Sequence, residues 1–170
     1  MRLFFALWPP PEAARALARW AVEAQRRTGG RAVDEAKVHL TLAFLGDADP
    51  GKAMAAARRV IAPSHELPIE EARYWRANGI VWVGPRAIPI ALKVLNEKLK
   101  AQLEREQFAL EKRPFAAHVT LIRKARAGDS LPPPPQIDWP VGEFVLVSSS
   151  LSAKGAAYEP LERFSLSARA

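Results

Sequence analysis

The phrase His-x-Thr-Leu is written twice, at 39–42 inside VHLTLAFLGD and at 118–121 inside AHVTLIRKA, 79 residues apart. Each copy lies in an alternating apolar run, the pattern of a strand with one buried face and one wetter face. In the first copy Leu40, Leu42 and Phe44 share one face, and His39, Thr41 and Ala43 the other. In the second, Val119 and Leu121 oppose His118 and Thr120. On this alternation Phe44 belongs to the core, with base stacking as its alternative. The chain holds three histidines and three threonines, and two of each are locked into the phrase. Scattered threonines would give that result about one time in a thousand. His65, in PSHELP, has no threonine and no repeat partner, and reads as a loop or surface residue.

The same offset carries the surrounding elements. RLFFAL (2–7) reads as a strand, and 9–27 as a helix with proline and glutamate in its first turn and a Leu17, Trp20, Ala21, Ala24 face. A strand at 38–46 and a short helix at 49–62 follow. Strands are then expected at 67–75 and 79–84, and a second long helix at 88–106 with Leu92, Leu95, Leu99 and Leu103 along one side. The second motif strand, a proline-rich loop at 132–135 and two closing strands complete the chain. Strand, long helix and His-x-Thr strand thus occur over 2–46 and again over 79–125. The pattern predicts an α+β fold of two similar lobes related by a pseudo-twofold, forming one domain over 1–170.

Two such strands paired about that axis would aim two imidazoles and two hydroxyls into one cleft. That set suits in-line displacement at phosphorus. One neutral histidine takes a proton from the attacking water, and one protonated histidine gives a proton to the departing ribose oxygen. Histidine's ordinary pKa of about 6.5 lets both forms coexist near neutrality. The threonine hydroxyls can donate to the non-bridging phosphate oxygens, where charge accumulates. No metal is needed, and two histidines without a third ligand make a thin metal site. Which histidine is the acid stays open on the residues alone.

The totals narrow the partners. A formal charge of +7 and a pI of about 10.1 favour polyanions. The absence of cysteine removes disulfides and thiolate nucleophiles and suits a reducing cytoplasm. No stretch approaches the roughly 20 apolar residues of a membrane span, and the apolar start is too brief for a signal peptide. There is no phosphate loop of the G-x-x-x-x-G-K-[ST] kind, and Lys154 in AKGA reads as a turn residue, so ATP-dependent ligation is disfavoured.

With VHLTLAFLGD and RPFAAHVTLIRKA, the order RLFFALWPPPEAARAL, GIVWVG and FVLVSSSLSAKGAAYEPLERFSL resembles the 2H phosphoesterase superfamily along essentially the whole chain. More closely, it resembles the RNA 2′,3′-cyclic phosphodiesterases long called 2′-5′ RNA ligases. The resemblance implies a bilobal α+β fold with two antiparallel sheets lining a central cleft and helices packed outside. It implies metal- and ATP-independent opening of an RNA 2′,3′-cyclic phosphate end to a 2′-phosphomonoester; no cofactor is expected, and the chain is expected to be a cytoplasmic monomer. It further implies that His39 is the proton donor to the 3′ oxygen, His118 the acceptor that activates water, and Thr41 and Thr120 the phosphate ligands. Arg123 is a phosphate or nucleotide contact on the same ground, although regular alternation puts it on the face opposite Thr120, so a bulge or strand end is needed to aim it inward. The family usually has proline before the second histidine, where this chain has Ala117.

Reversible 2′-5′ ligation is the same displacement with a ribose oxygen in place of water, and cyclic nucleotides or ADP-ribose cyclic phosphate are further candidate substrates. A different class, an RNA-binding module without catalysis, would rest on the basic charge and on Trp75, Trp82 and Trp139 as stacking surfaces.

Overall fold

The first strand explains why the rest of the chain wraps as it does. β1 (Arg2–Leu7) is apolar from Leu3 to Leu7, so it must be covered on both faces. Leu3, Phe5 and Leu7 enter the main core, while Phe4 and Ala6 pack with Val145 and Val147 and are flanked by Trp8 and Tyr158. The structure, a computed structural model, describes residues 1–168.

After β1 come α1 (Pro11–Thr28), β2 (Arg31–Ala32), a single 3-10 turn (Glu35–Lys37), β3 (Leu40–Asp47) and α2 (Pro50–Arg58). Then follow β4 (His65–Ile69), β5 (Glu71–Trp75), β6 (Ile80–Gly84) and α3 (Ile90–Arg105). The chain closes with β7 (Val119–Arg123), β8 (Ile137–Val141), β9 (Glu143–Ser152) and β10 (Gly155–Ser165). The described residues form an eight-stranded sheet in the order β10-β9-β1-β3-β7-β6-β5, with β2 added to β7, and a two-stranded sheet of β4 and β8. All pairings between these strands are antiparallel. The α+β class and the antiparallel sheets are therefore as the sequence implies.

The long sheet is two wings joined at one point. Its centre, between β3 and β7, is held by a single residue pair, Leu40 with Val119. The starts of α1 and α3 (Pro11, Ile90) and of β3 and β7 (Leu40, Val119) keep the 79-residue offset. α1 begins with Pro11, carries Glu12 in its first turn and ends on Gly29 at φ 69°, a conformation open to glycine at little steric penalty. Its buried side includes Leu17, Trp20, Ala21 and Ala24. α3 buries Leu92, Leu95, Leu99 and Leu103. The proline-rich loop is tied to α1, because the Trp20 indole N–H donates to the carbonyls of Pro132 and Pro133 at 3.2 and 3.1 Å.

Two elements differ from the sequence reading. The helix expected over 49–62 ends at Arg58, with Arg59 and Val60 making only short-range turn bonds to Ala56 and Ala57. Pro63 disfavours helix in the residue before it, and Lys98 captures the Ile61 carbonyl at 2.7 Å. The strand expected over 67–75 is two strands, because the chain changes sheets at Glu70: β4 pairs with β8, and β5 with β6. His65 is not on the surface. It is buried at the start of β4, with its Nδ1–H donating to the Pro63 carbonyl at 3.1 Å.

Candidate active site

Each motif histidine stands one residue before its strand, His39 before β3 and His118 before β7. The single pair joining the wings is formed by the residues that follow them, Leu40 and Val119. Stepping the antiparallel register by one residue each way sets His39 alongside Thr120 and Thr41 alongside His118. Leu40 and Val119 point into the core, so these four side chains gather on the opposite face. A cavity of about 630 Å³ opens there, lined by His39, Thr41, His118, Thr120 and Arg123 among others. The structure thus brings all five candidate residues to one cavity.

Arg123 reaches it by a bulge. β6 pairs Val81 with Ile122 and Trp82 with Thr120, leaving Leu121 out of the register. The skipped residue reverses the alternation: Leu121 and Ile122 are both buried and Arg123 turns outward to the cavity. β3 carries the matching bulge. β1 pairs Phe5 with Ala43 and Ala6 with Thr41, so Leu42 is skipped. Leu42 and Leu121 are the leucines of the two motifs. The carbonyls of both find partners elsewhere: Leu42 takes a bond from the buried Asn96 side chain at 2.9 Å, and Leu121 from the Val33 N–H at 2.8 Å, which continues the β2–β7 pairing. The first bulge also corrects the placement of Phe44, which is 50% exposed and faces solvent with Thr41 instead of packing with Leu40 and Leu42.

The two imidazoles are held alike. His39 Nδ1–H donates to the Lys37 carbonyl at 2.7 Å, and His118 Nδ1–H to the Ala116 carbonyl at 2.9 Å. A carbonyl only accepts, so Nδ1 carries the proton in both rings and Nε2 is the working nitrogen. Thr41 Oγ1 lies 3.1 Å from His39 Nε2 and donates to it while the ring is neutral. Trp8 stacks on His39 at 4.8 Å and 11°, with Phe4 at 5.1 Å and the Tyr158 ring edge-on at 5.5 Å. Trp75 lies 4.7 Å from His118, and Trp82 6.2 Å. Trp139, the third stacking candidate, is buried in the core. Sequence reading missed Trp8, Phe4 and Tyr158; Tyr158 comes from β10, and no local pattern links it to His39.

Burial lowers the His39 pKa to about 4, against the raising effect of the Lys37 carbonyl, and the Arg123 and His118 charges lower it further. His118 is also lowered, by burial first and then by Arg123, again opposed by its backbone bond. Both rings therefore favour the neutral form more than a free imidazole does, so a proton on either one needs a nearby negative charge.

A stability consequence follows. Below about 6.5 an unfolded histidine is protonated, whereas folded His39 stays neutral down to about 4. The unfolded state then binds more protons, so the His39 contribution to stability falls as pH drops from about 6.5 to about 4 and is constant below that. The His39 share is roughly 3 kcal/mol. Urea unfolding at pH 7 and pH 4.5 in phosphate-free buffer measures it, and His39→Gln is expected to lose less stability between the two pH values than the parent.

The cavity is basic at its rim, where Arg31, Lys37, Arg123 and Lys154 face a single acid, Asp34. Lys154 is in the turn between β9 and β10, as read from the sequence, and also lines the cavity. Among the described residues no three His, Cys, Asp or Glu side chains gather as metal ligands, and no helix is long and apolar enough to cross a membrane.

The sequence model of the LigT-like phosphoesterase family matches residues 7–82. The RNA 2′,3′-cyclic phosphodiesterase of Escherichia coli strain K12 is 36% identical, over 97% of this chain and 96% of its own length. The RNA 2′,3′-cyclic phosphodiesterase of Thermus thermophilus is 32% identical, over 98% of this chain and 90% of its own. The crystal structure of E. coli LigT complexed with 3′-AMP superposes with a TM-score of 0.90 at 34% identity, covering 97% of each chain.

Proposed function

Because the chain belongs to the LigT-like phosphoesterase family, we propose that it is an enzyme that hydrolyses RNA 2′,3′-cyclic phosphate ends to 2′-phosphomonoesters. The observation that carries the reading is the shared cavity: two histidines, each with Nδ1 fixed to a backbone carbonyl and Nε2 left to work, flanked by two threonines and Arg123. Thr41, Thr120 and Arg123 hold the non-bridging oxygens of the phosphodiester. His118 Nε2 takes a proton from water as the water oxygen attacks phosphorus. The bond from phosphorus to the 3′ oxygen breaks opposite, and His39 Nε2–H delivers its proton to that oxygen. One proton enters at His118 and one leaves at His39, and exchange with solvent restores the pair.

His39 needs a proton that its protein surroundings alone withhold. The bound phosphodiester anion supplies the counter-charge that burial and Arg123 deny, so His39 is protonated with substrate in place. This polarity, with His39 as acid, rests on the family resemblance. The reading takes 1–170 as one domain of two related lobes, supported by the 79-residue offset kept by α1 and α3 and by β3 and β7. It takes the enzyme as a cytoplasmic monomer that needs no metal, since the cavity residues already supply acid, base and phosphate donors.

The test is product analysis. An oligonucleotide ending in a 2′,3′-cyclic phosphate should give only the 2′-phosphate, at a rate unchanged by a chelator. A 3′-phosphate product, or loss of turnover with chelator, would overturn the assignment.

A further inference from the structure

β7 stops abruptly at Arg123. Lys124 takes φ 56°, a left-handed conformation uncommon outside glycine. Ala125 then turns back, its N–H donating to the Gly79 carbonyl at 2.9 Å, and the Arg126 N–H donates to the Thr28 carbonyl at 2.8 Å. Arg123 is therefore the last strand residue before a sharp turn. A guanidinium that must meet a phosphate to within about 0.5 Å needs a fixed backbone beneath it.

That backbone is braced by β2, which is only two residues long. Arg31 pairs with Arg123 and Ala32 with Ile122, and the Val33 bond to Leu121 continues the pairing. Charge does not hold the brace in place, because two arginines stand directly opposite each other, an unfavourable cross-strand pair. Close backbone approach holds it instead, and Gly30 makes that approach possible. Gly30 lies at φ 80°, and a Cβ there would collide with the Arg123 carbonyl oxygen. It would also stand 2.8 Å from the Ala125 nitrogen and 2.8 Å from the Lys124 carbonyl carbon. All three are backbone atoms, which cannot rotate aside as a side-chain end would. From behind, the Gln25 amide donates to the Gly30 carbonyl at 2.8 Å and ties it to α1.

We propose that Gly30 is a positioning residue for Arg123: lacking a Cβ, it lets β2 close on the end of β7, and that closure sets where the guanidinium stands in the cavity. The inference rests on the proposed cyclic phosphodiesterase activity and names a residue beneath the cavity on which that site depends. In Gly30→Ala, β2 or the end of β7 must shift, and the guanidinium moves away from the imidazoles.

The first measurement is an NMR titration of the histidine rings, which needs no turnover. The Arg123 charge lowers both imidazoles, so Gly30→Ala should raise both pKa values, in the direction given by Arg123→Met. In the Arg123→Met background, Gly30→Ala should move neither one further. Gly46→Ala is the control: φ there is 68°, but a Cβ meets nothing within 4 Å, so both values should stay at the parent's. The second measurement is kcat/KM on an oligonucleotide with a 2′,3′-cyclic phosphate end. Gly30→Ala should lower it by on the order of tenfold to a hundredfold. In the Arg123→Met background the same substitution should cost less than about twofold. Should Gly30→Ala fail to fold, Gln25→Leu, which cuts only the tie from α1, should show the same pattern to a smaller extent. Unmoved pKa values, or equal losses in the two backgrounds, would overturn the inference and leave the activity standing. Absence of turnover in the parent would overturn the activity, while the titration still decides the inference.

Discussion

Replacing His118 by alanine is expected to lower kcat on a 2′,3′-cyclic phosphate oligonucleotide by about 10³-fold, with RNA affinity kept within a few-fold. The two parts of that result come from different features. On the proposed function, affinity rests on the basic rim of the cavity, which the substitution leaves in place. Turnover depends on Nε2, which the Ala116 carbonyl leaves as the ring's working nitrogen. His39→Ala is expected to cost a similar factor, since Nδ1 there is bound to Lys37. The double variant should fall little below either single one, because an acid without its base does not complete the displacement. Steady-state turnover with a parallel binding measurement checks all three. A non-catalytic RNA-binding module would show no turnover for the substitutions to remove.

Arg123→Met is expected to lower kcat/KM by about 10²-fold, the scale for losing one donor to a developing phosphate charge. It also makes a signed prediction about pH. After burial, Arg123 pushes both imidazoles down. Removing its charge therefore raises both, and the two limbs of the kcat/KM profile should move to higher pH together. A residue that only shaped the cavity would lower the rate without moving the limbs. Arg123→Lys keeps the charge and should hold the limbs near their original positions while recovering part of the rate.

The chemistry of the site was legible because it is written twice. The His-x-Thr-Leu phrases, their alternation and their 79-residue offset are enough to bring two imidazoles and two hydroxyls together. The bulges were not legible. Nothing in Leu42 or Leu121 marks it as the residue a neighbouring strand will skip; the groups that take up their carbonyls, Asn96 of α3 and Val33 after β2, are distant in sequence. That hidden step sends Phe44 out of the core and Arg123 into the cavity. Phe44 was therefore misplaced by regular alternation, and Arg123 could be aimed inward only by supposing a bulge. Trp8 and Tyr158 were missed because desolvation of His39 is a tertiary effect, assembled from β10 and the residue after β1. The lowered histidine pKa values share that origin. The same limit split the expected 67–75 strand, where the choice of sheet on either side of Glu70 depends on β8 and β6.

The central claim, that His39 serves as acid and His118 as base on one phosphorus, is tested most directly with a leaving group that needs no proton. A nucleoside 2′-(4-nitrophenyl) phosphodiester offers phenolate where the cyclic substrate offers the 3′ oxygen. On it, His39→Ala should run within about tenfold of the parent while remaining about 10³-fold impaired on the cyclic phosphate, and His118→Ala should be impaired on both. Equal impairment of the two variants on the aryl ester, or rescue of His118→Ala instead of His39→Ala, would contradict the account.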